Sequence, residues 1–367
     1  MKKSNLNRLA LSGLLTTMVF LNACKKDRIK VDPIPHATAG VYVLCEGAFG
    51  QLNNSSITYY DVTKATVDKD YFRTKNGAGL GTDASDLKQY GSKMYCLVTG
   101  SKDVAQDAYI EVINIATGKS IKRIPFYDTS KDFAPRHIAF YQNKAYVTGY
   151  DGYVSKIDTA SLTVESRILV GGALEGIAIV NGKIFAANSS HPFYVNANNS
   201  NVSVVDIASF TKVTDIPVSF NPTKLAATAN GDVYVITSGS FSPFVATAFE
   251  KINSLTNTKT QTFTHDLSEI AVNGNSGYVI TNDYPAKIKL LNISTGLLGA
   301  DFITETTSLN SAYGLTVNPL DHNLFIADAT NYVGDGKLFC FDTAGKKKFE
   351  FATGTAPKIA VFNYTYK

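Results

Sequence analysis

The chain has 367 residues, a formal net charge of +4 and 44% hydrophobic residues, with 20 tyrosines, 21 phenylalanines and no tryptophan. Its basic residues form no stripe or patch, so nucleic acid is not an expected partner. The length exceeds what one hydrophobic core supports, and this directs attention to repeat architectures.

Lys2, Lys3 and Arg8 give a positive flank, Leu9 to Leu21 is an apolar run, and Leu21-Asn22-Ala23-Cys24 follows at once. This is the layout of an export signal, too short at ~1.5 Å per residue to span a ~30 Å bilayer core. The ending resembles the bacterial lipobox, which implies acylation of Cys24 after removal of residues 1–23. Without its three basic residues the mature chain carries +1. Residues 24–39, with Pro33 and Pro35, read as a flexible tether to the membrane, so the folded part is expected from Gly40. Lys25 rather than Asp follows the cysteine, and Lys25-Lys26-Asp27 resembles the export tags of surface lipoproteins. The expected location is the outer membrane, lipid-anchored and facing the cell surface, with a periplasm-facing orientation left open.

From Gly40 onward one unit recurs: an apolar strand, a turn, a Tyr/Val-rich strand, a loop, a third strand ending in Asp or Asn, and a fourth strand. The clearest copy joins His137–Phe140, Lys144–Thr148, Val154–Asp158 and Val164–Ile168, each alternating apolar and polar residues. An apolar anchor of the first strand recurs at Leu87, Ile138, Ile177, Leu225, Ile270, Leu315 and Ile359. The third-strand terminator recurs at Asp61, Asn114, Asp158, Asp206, Asn253, Asn292 and Asp342, where an Asx side chain fixes the next turn. Both series count seven. The expected fold is all-β: a seven-bladed β-propeller of four-stranded blades spanning residues 40–367. Gly40–Phe72 lacks a first strand, and Pro357–Phe362 is a first strand with nothing after it. The C-terminal strand is therefore expected to pair into the N-terminal blade and close the ring. Cys45, Cys96 and Cys340 lie in apolar strand patterns and read as small buried hydrophobes.

Tyr278-Val279-Ile280-Thr281-Asn282, Tyr234-Val235-Ile236-Thr237 and Tyr146-Val147-Thr148 resemble the Tyr-Val-Thr-Asn (YVTN), YncE-like propeller family. So do Ile157–Leu162, Val170-Gly171-Gly172 and Glu175–Ala178. The opening Tyr42–Gly50 and Ser56–Asp61 is similar to a subgroup of surface lipoprotein propellers found beside outer-membrane transporters. Some of those capture cobalamin for a TonB-dependent transporter. The resemblance implies a corrinoid as candidate ligand and such a transporter as candidate partner, and assigns no contact residue.

Two sets of candidate binding residues follow. Several second-to-third-strand loops are long and variable and carry Phe49, His191, Phe193, Tyr194, Phe241, Phe244 and Tyr332; Tyr150 and Tyr284 lie in shorter counterparts, and Tyr127 joins the same face from a fourth-to-first connection. If each anchor faces between blades, its neighbours face the central channel, giving a ring of Asp86, His137, Lys224, Glu269 and Lys358 above small residues. No His-Glu-x-x-His or Gly-x-Ser-x-Gly pattern occurs, and no cofactor is required by any motif. The expected function is ligand binding by a cell-envelope lipoprotein. The alternatives are an exported propeller enzyme, lactonase- or quinoprotein-like, with its site at the channel mouth, and a protein–protein scaffold in an outer-membrane complex.

Overall fold

The computed structural model describes residues 34–367. The expected export signal, Cys24 and the expected tether up to residue 33 lie outside the described residues. Seven four-stranded antiparallel sheets follow one another along the chain. The second to seventh take their innermost strands from Ala84–Tyr90, Pro135–Tyr141, Ala173–Val180, Pro222–Ala227, Leu267–Asn273 and Ala312–Val317. The first blade takes its innermost strand from the other end of the chain. Pro357–Tyr366 pairs with Pro35–Cys45, matching Val41 with Phe362 and Val43 with Ala360. All seven anchors sit on innermost strands, as the spacing predicts.

Two boundaries differ from expectation. The first strand begins at Pro35, not Gly40, because the tail is long enough to pair Pro35 with Tyr366. The fourth strand of the first blade ends at Asp68, and Tyr71–Asn76 forms a short helix, N-capped by Asp70. Phe72 from this helix is buried, and Tyr71 stacks on Tyr59 at 4.6 Å.

The Asx terminators act as the sequence implies. Asn114 Oδ1 accepts from the backbone N–H of Ala116 and Thr117, Asp158 Oδ1 from Ala160 and Ser161, and Asn253 Oδ1 from Leu255 and Thr256. Asp61, Asp206, Asn292 and Asp342 hold their turns in the same way. Blades cohere through apolar clusters that run between neighbouring sheets, such as Tyr95, Ile110 and Phe126 with Ile138 and Val147. Backbone acceptors in the next blade engage buried tyrosines: Tyr42 donates to Ile115 O at 2.7 Å and Tyr234 to Ile293 O at 3.0 Å. Cys45, Cys96 and Cys340 are buried free thiols, and burial pushes each above the ordinary thiol range.

Every innermost strand carries one extra residue relative to its partner. The register slips between Ala84 and Asp86, Pro135 and Ile138, Leu174 and Ile177, and at the equivalent place in the other four blades. Such a β-bulge breaks the alternation of side chains. Here it does so seven times at one height in the channel. The strands crowd there: a Cβ on Gly314 would meet the backbone carbonyl oxygen of Lys358 at 1.9 Å.

Two outcomes test this closure. Truncation after Thr355 removes the innermost strand of the first blade and is expected to abolish the cooperative thermal transition seen by circular dichroism. Gly314→Ala is expected to lower the unfolding free energy by about 1–3 kcal/mol in urea titration, since neither backbone can give way.

Candidate functional site

The loops between second and third strands gather on one face of the ring, and the Asx turns on the other. The first strand enters from the turn face, where Gly40 pairs with Asp61, and leaves into the loop at residues 46–55. On the loop face opens a funnel of about 880 Å³. Beneath it the central channel holds a second cavity of about 430 Å³. His137, Thr223, Lys224, Glu269 and Lys358 line both, and so form the floor that separates them.

The floor is a set of ion pairs. Lys224 Nζ lies 2.7 Å from Glu269 Oε2, and Glu269 Oε1 accepts the Ile270 N–H at 3.0 Å. Lys358 binds Glu46, which also accepts the Tyr313 hydroxyl. Arg136 Nε reaches Glu175 at 3.2 Å, Arg136 also donates to Thr99 at 3.1 Å, and its guanidinium lies 4.6 Å from the Tyr150 ring centre. Tyr150 donates its hydroxyl to Glu175. His137 is bracketed by carboxylates, with Nδ1 3.3 Å from Asp86 and Nε2 3.5 Å from Glu175. Asp86 is fully buried and accepts the Ile138 N–H at 3.0 Å, with Lys88 Nζ 3.6 Å away.

Burial opposes ionisation of the three acids, and the cations overcome it. Lys358 holds Glu46 below the usual carboxylate range, Arg136 does the same for Glu175, and Lys88 with His137 for Asp86. Burial drives the Tyr150 and Tyr313 hydroxyls up, so both remain neutral donors. Among the described residues no group of three or more His, Cys, Asp or Glu is placed to share a metal ion.

The five predicted ring residues Asp86, His137, Lys224, Glu269 and Lys358 are brought together as expected. The premise behind them needs correction. Six of the seven anchors, Ile138 excepted, also border the channel, because the bulge tilts the strand there. The same bulge turns the residue two before the anchor toward the funnel, and alternation misses it: Arg136, Glu175, Thr223, Ser268 and Tyr313 all line the funnel. Glu46 was missed too, since only ring closure brings it to Lys358. Its position beside the tail was implicit in the expected pairing of head and tail.

The predicted loop aromatics divide. Tyr284 and Tyr332 line the funnel with Phe241 and Phe244, which sit opposite each other on a small hairpin, Ser240–Phe241 paired with Phe244–Val245. Phe241, Phe244 and Tyr284 are 100%, 80% and 99% exposed, so nothing among the described residues covers them. Tyr150, His191 and Phe193 instead join Tyr194 in an aromatic stack, with Tyr150 and His191 ring centres 4.2 Å apart. None of these four lines either cavity. Tyr127 bridges to Asp132 and is likewise outside both.

Lys358→Met leaves Glu46 buried without its cation and is expected to cost roughly 3–5 kcal/mol of stability, most of it recovered in Lys358→Met/Glu46→Gln. The acids titrate lower in the folded chain than unfolded, so their contribution is complete at neutral pH and is lost as pH falls below the ordinary carboxylate range and through the depressed folded values. Urea titrations at pH 7, 4 and 3 are expected to show this loss, with a shallower decline in the double variant.

Three solved structures share this architecture. A quinoprotein alcohol dehydrogenase-like protein from Bacteroides thetaiotaomicron matches with a TM-score of 0.65 and 16% identity, over 89% of this chain and 78% of that one. A protein from Bacteroides uniformis, provisionally assigned as a 6-phosphogluconolactonase, matches with a TM-score of 0.62 and 13% identity over 89% and 100%. A similarly assigned protein from Bacteroides fragilis gives 0.59 and 12% over 90% and 100%. At these identities the likeness concerns the fold alone. No curated protein sequence matches the chain. One family model spans residues 39–366, so the chain belongs to the family described as "Domain of unknown function (DUF5074)".

Proposed function

We propose that this chain is a non-enzymatic, lipid-anchored binding protein of the cell envelope that captures a ligand of small to medium size in the loop-face funnel. The observation that carries the reading is the set of uncovered aromatics, Phe241, Phe244 and Tyr284, standing around a cavity of about 880 Å³ above an ion-paired floor. Apolar walls with a few fixed polar groups at the base are the usual make-up of a ligand pocket. Large exposed rings in a concave site supply stacking area at little entropic cost, since they have two side-chain torsions each.

The floor favours binding over acid–base chemistry. A general acid or base works best with a pKa near the working pH. Glu46, Glu175 and Asp86 are pushed down and Tyr150 and Tyr313 up, away from that point. His137, held between Asp86 and Glu175, is the observation that favours the second reading, a propeller enzyme working at the channel mouth.

A corrinoid is the candidate ligand, because it combines a broad flat ring with a hydrogen-bonding periphery. Anchoring through Cys24 fits this role. The proposed partner is a TonB-dependent outer-membrane transporter to which the ligand is handed over.

Titration of the purified protein with cyanocobalamin is expected to show submicromolar binding. Tyr284→Ala and Phe241→Ala/Phe244→Ala are each expected to weaken it about tenfold or more, a loss of roughly 1.4 kcal/mol. Absence of binding to any corrinoid removes this ligand. A turnover activity lost in His137→Ala establishes the enzyme instead.

A further inference from the structure

We infer that the Lys224–Glu269 pair at the base of the funnel is a subsite for an uncharged primary carboxamide. The inference rests on the reading of the funnel as the ligand-binding face, and concerns which chemical group reaches its floor.

Both side chains are largely but not wholly covered, with side-chain exposures of 22% and 14%, and both border the funnel. The ammonium and carboxylate lie side by side, 2.7 Å apart. An ammonium has three N–H donors. Lys224 directs one to Glu269 Oε2 and has no other protein acceptor among the described residues. Glu269 receives only Lys224 and its neighbour Ile270 N–H, which leaves lone pairs on both oxygens. The pair therefore presents a donor and an acceptor next to each other. The oxygen and nitrogen edge of a primary amide is the complement: its carbonyl accepts from Lys224 Nζ, and its N–H donates to a Glu269 oxygen.

Charge selects against ionic groups. The neighbouring cations are already matched, Lys358 to Glu46 and Arg136 to Glu175. A ligand carboxylate would approach Lys224 but bring its charge against Glu269, with Glu175 in the same funnel lining. A ligand ammonium meets the reverse arrangement with Lys224 and Lys358. Within the ion-paired floor neither finds an unmatched counter-ion to offset its desolvation; the carboxylates without a cation partner among the described residues, Asp266 and Asp283, stand elsewhere in the funnel lining. An amide has no such penalty and satisfies both partners. The rim aromatics Phe241, Phe244 and Tyr284 add stacking for a flat group that carries the amide.

The test uses three probes built on the same phenyl ring, benzamide, benzoate and benzylamine, in ligand-observed saturation-transfer NMR with the full chain. Benzamide is expected to bind at millimolar concentration, and the two charged probes at least fivefold more weakly. Lys224→Met/Glu269→Leu removes both charges together and leaves neither stranded. It is expected to keep the wild-type melting transition and to lose the benzamide signal. Benzoate or benzylamine binding as well as benzamide, no benzamide signal, or an unchanged signal in the folded double variant would each overturn the inference. The corrinoid titration is a separate measurement, so a negative result there removes that ligand and leaves the amide subsite to be judged on the probes.

Discussion

The structure depends on one pairing, that of the chain's last strand with its first. Pro357–Tyr366 supplies the innermost strand of the first blade, so the ring closes only when head and tail meet. Closure removes two open sheet edges. It also builds part of the site, since Lys358 lies on the tail strand and binds Glu46, which follows the head strand. Tyr313 from the seventh blade adds its hydroxyl to the same carboxylate. Stability and site geometry are thus coupled through one contact that joins residues 312 positions apart.

A second constraint comes from the repeated bulge. A regular strand would present every other side chain to the channel, and seven strands would give one tier of residues at any one level. One extra residue per innermost strand gives two tiers at the level of the floor. The lower tier holds His137, Lys224, Glu269 and Lys358, and the upper adds Arg136, Glu175 and Tyr313. Crowding at this height explains why Gly314 admits no side chain beside the Lys358 carbonyl. The polar groups can be dense here because nearly every charge meets its opposite within hydrogen-bond reach.

The two faces of the disc divide the work. The turn face is regular, fixed by Asx side chains and short connections, and receives both ends of the folded domain. The loop face carries the variation, including the Phe241–Phe244 hairpin and the uncovered Tyr284. A rigid ring bearing irregular loops lets the binding surface change without disturbing the blades. The aromatic stack of Tyr150, His191, Phe193 and Tyr194 braces the loops of the third and fourth blades, and through the Tyr150–Glu175 contact it reaches the floor.

What the sequence alone determined was the repeat and its consequences. Alternating strands, the anchor series and the Asx series are local signals, legible because each is dictated by residues within one blade. The missing first strand at the head and the surplus strand at the tail made closure legible as well, and with it the ring of Asp86, His137, Lys224, Glu269 and Lys358. The tertiary structure alone decided which residues share the floor. A bulge leaves no mark in an apolar–polar alternation, so Arg136, Glu175 and Tyr313 could not be assigned to the funnel from their spacing. Loop conformation was equally hidden: Tyr284 and Tyr332 line the cavity while Tyr127, Tyr150, His191 and Phe193 lie outside it, because a loop aromatic's direction is set by its tertiary neighbours rather than by its own segment.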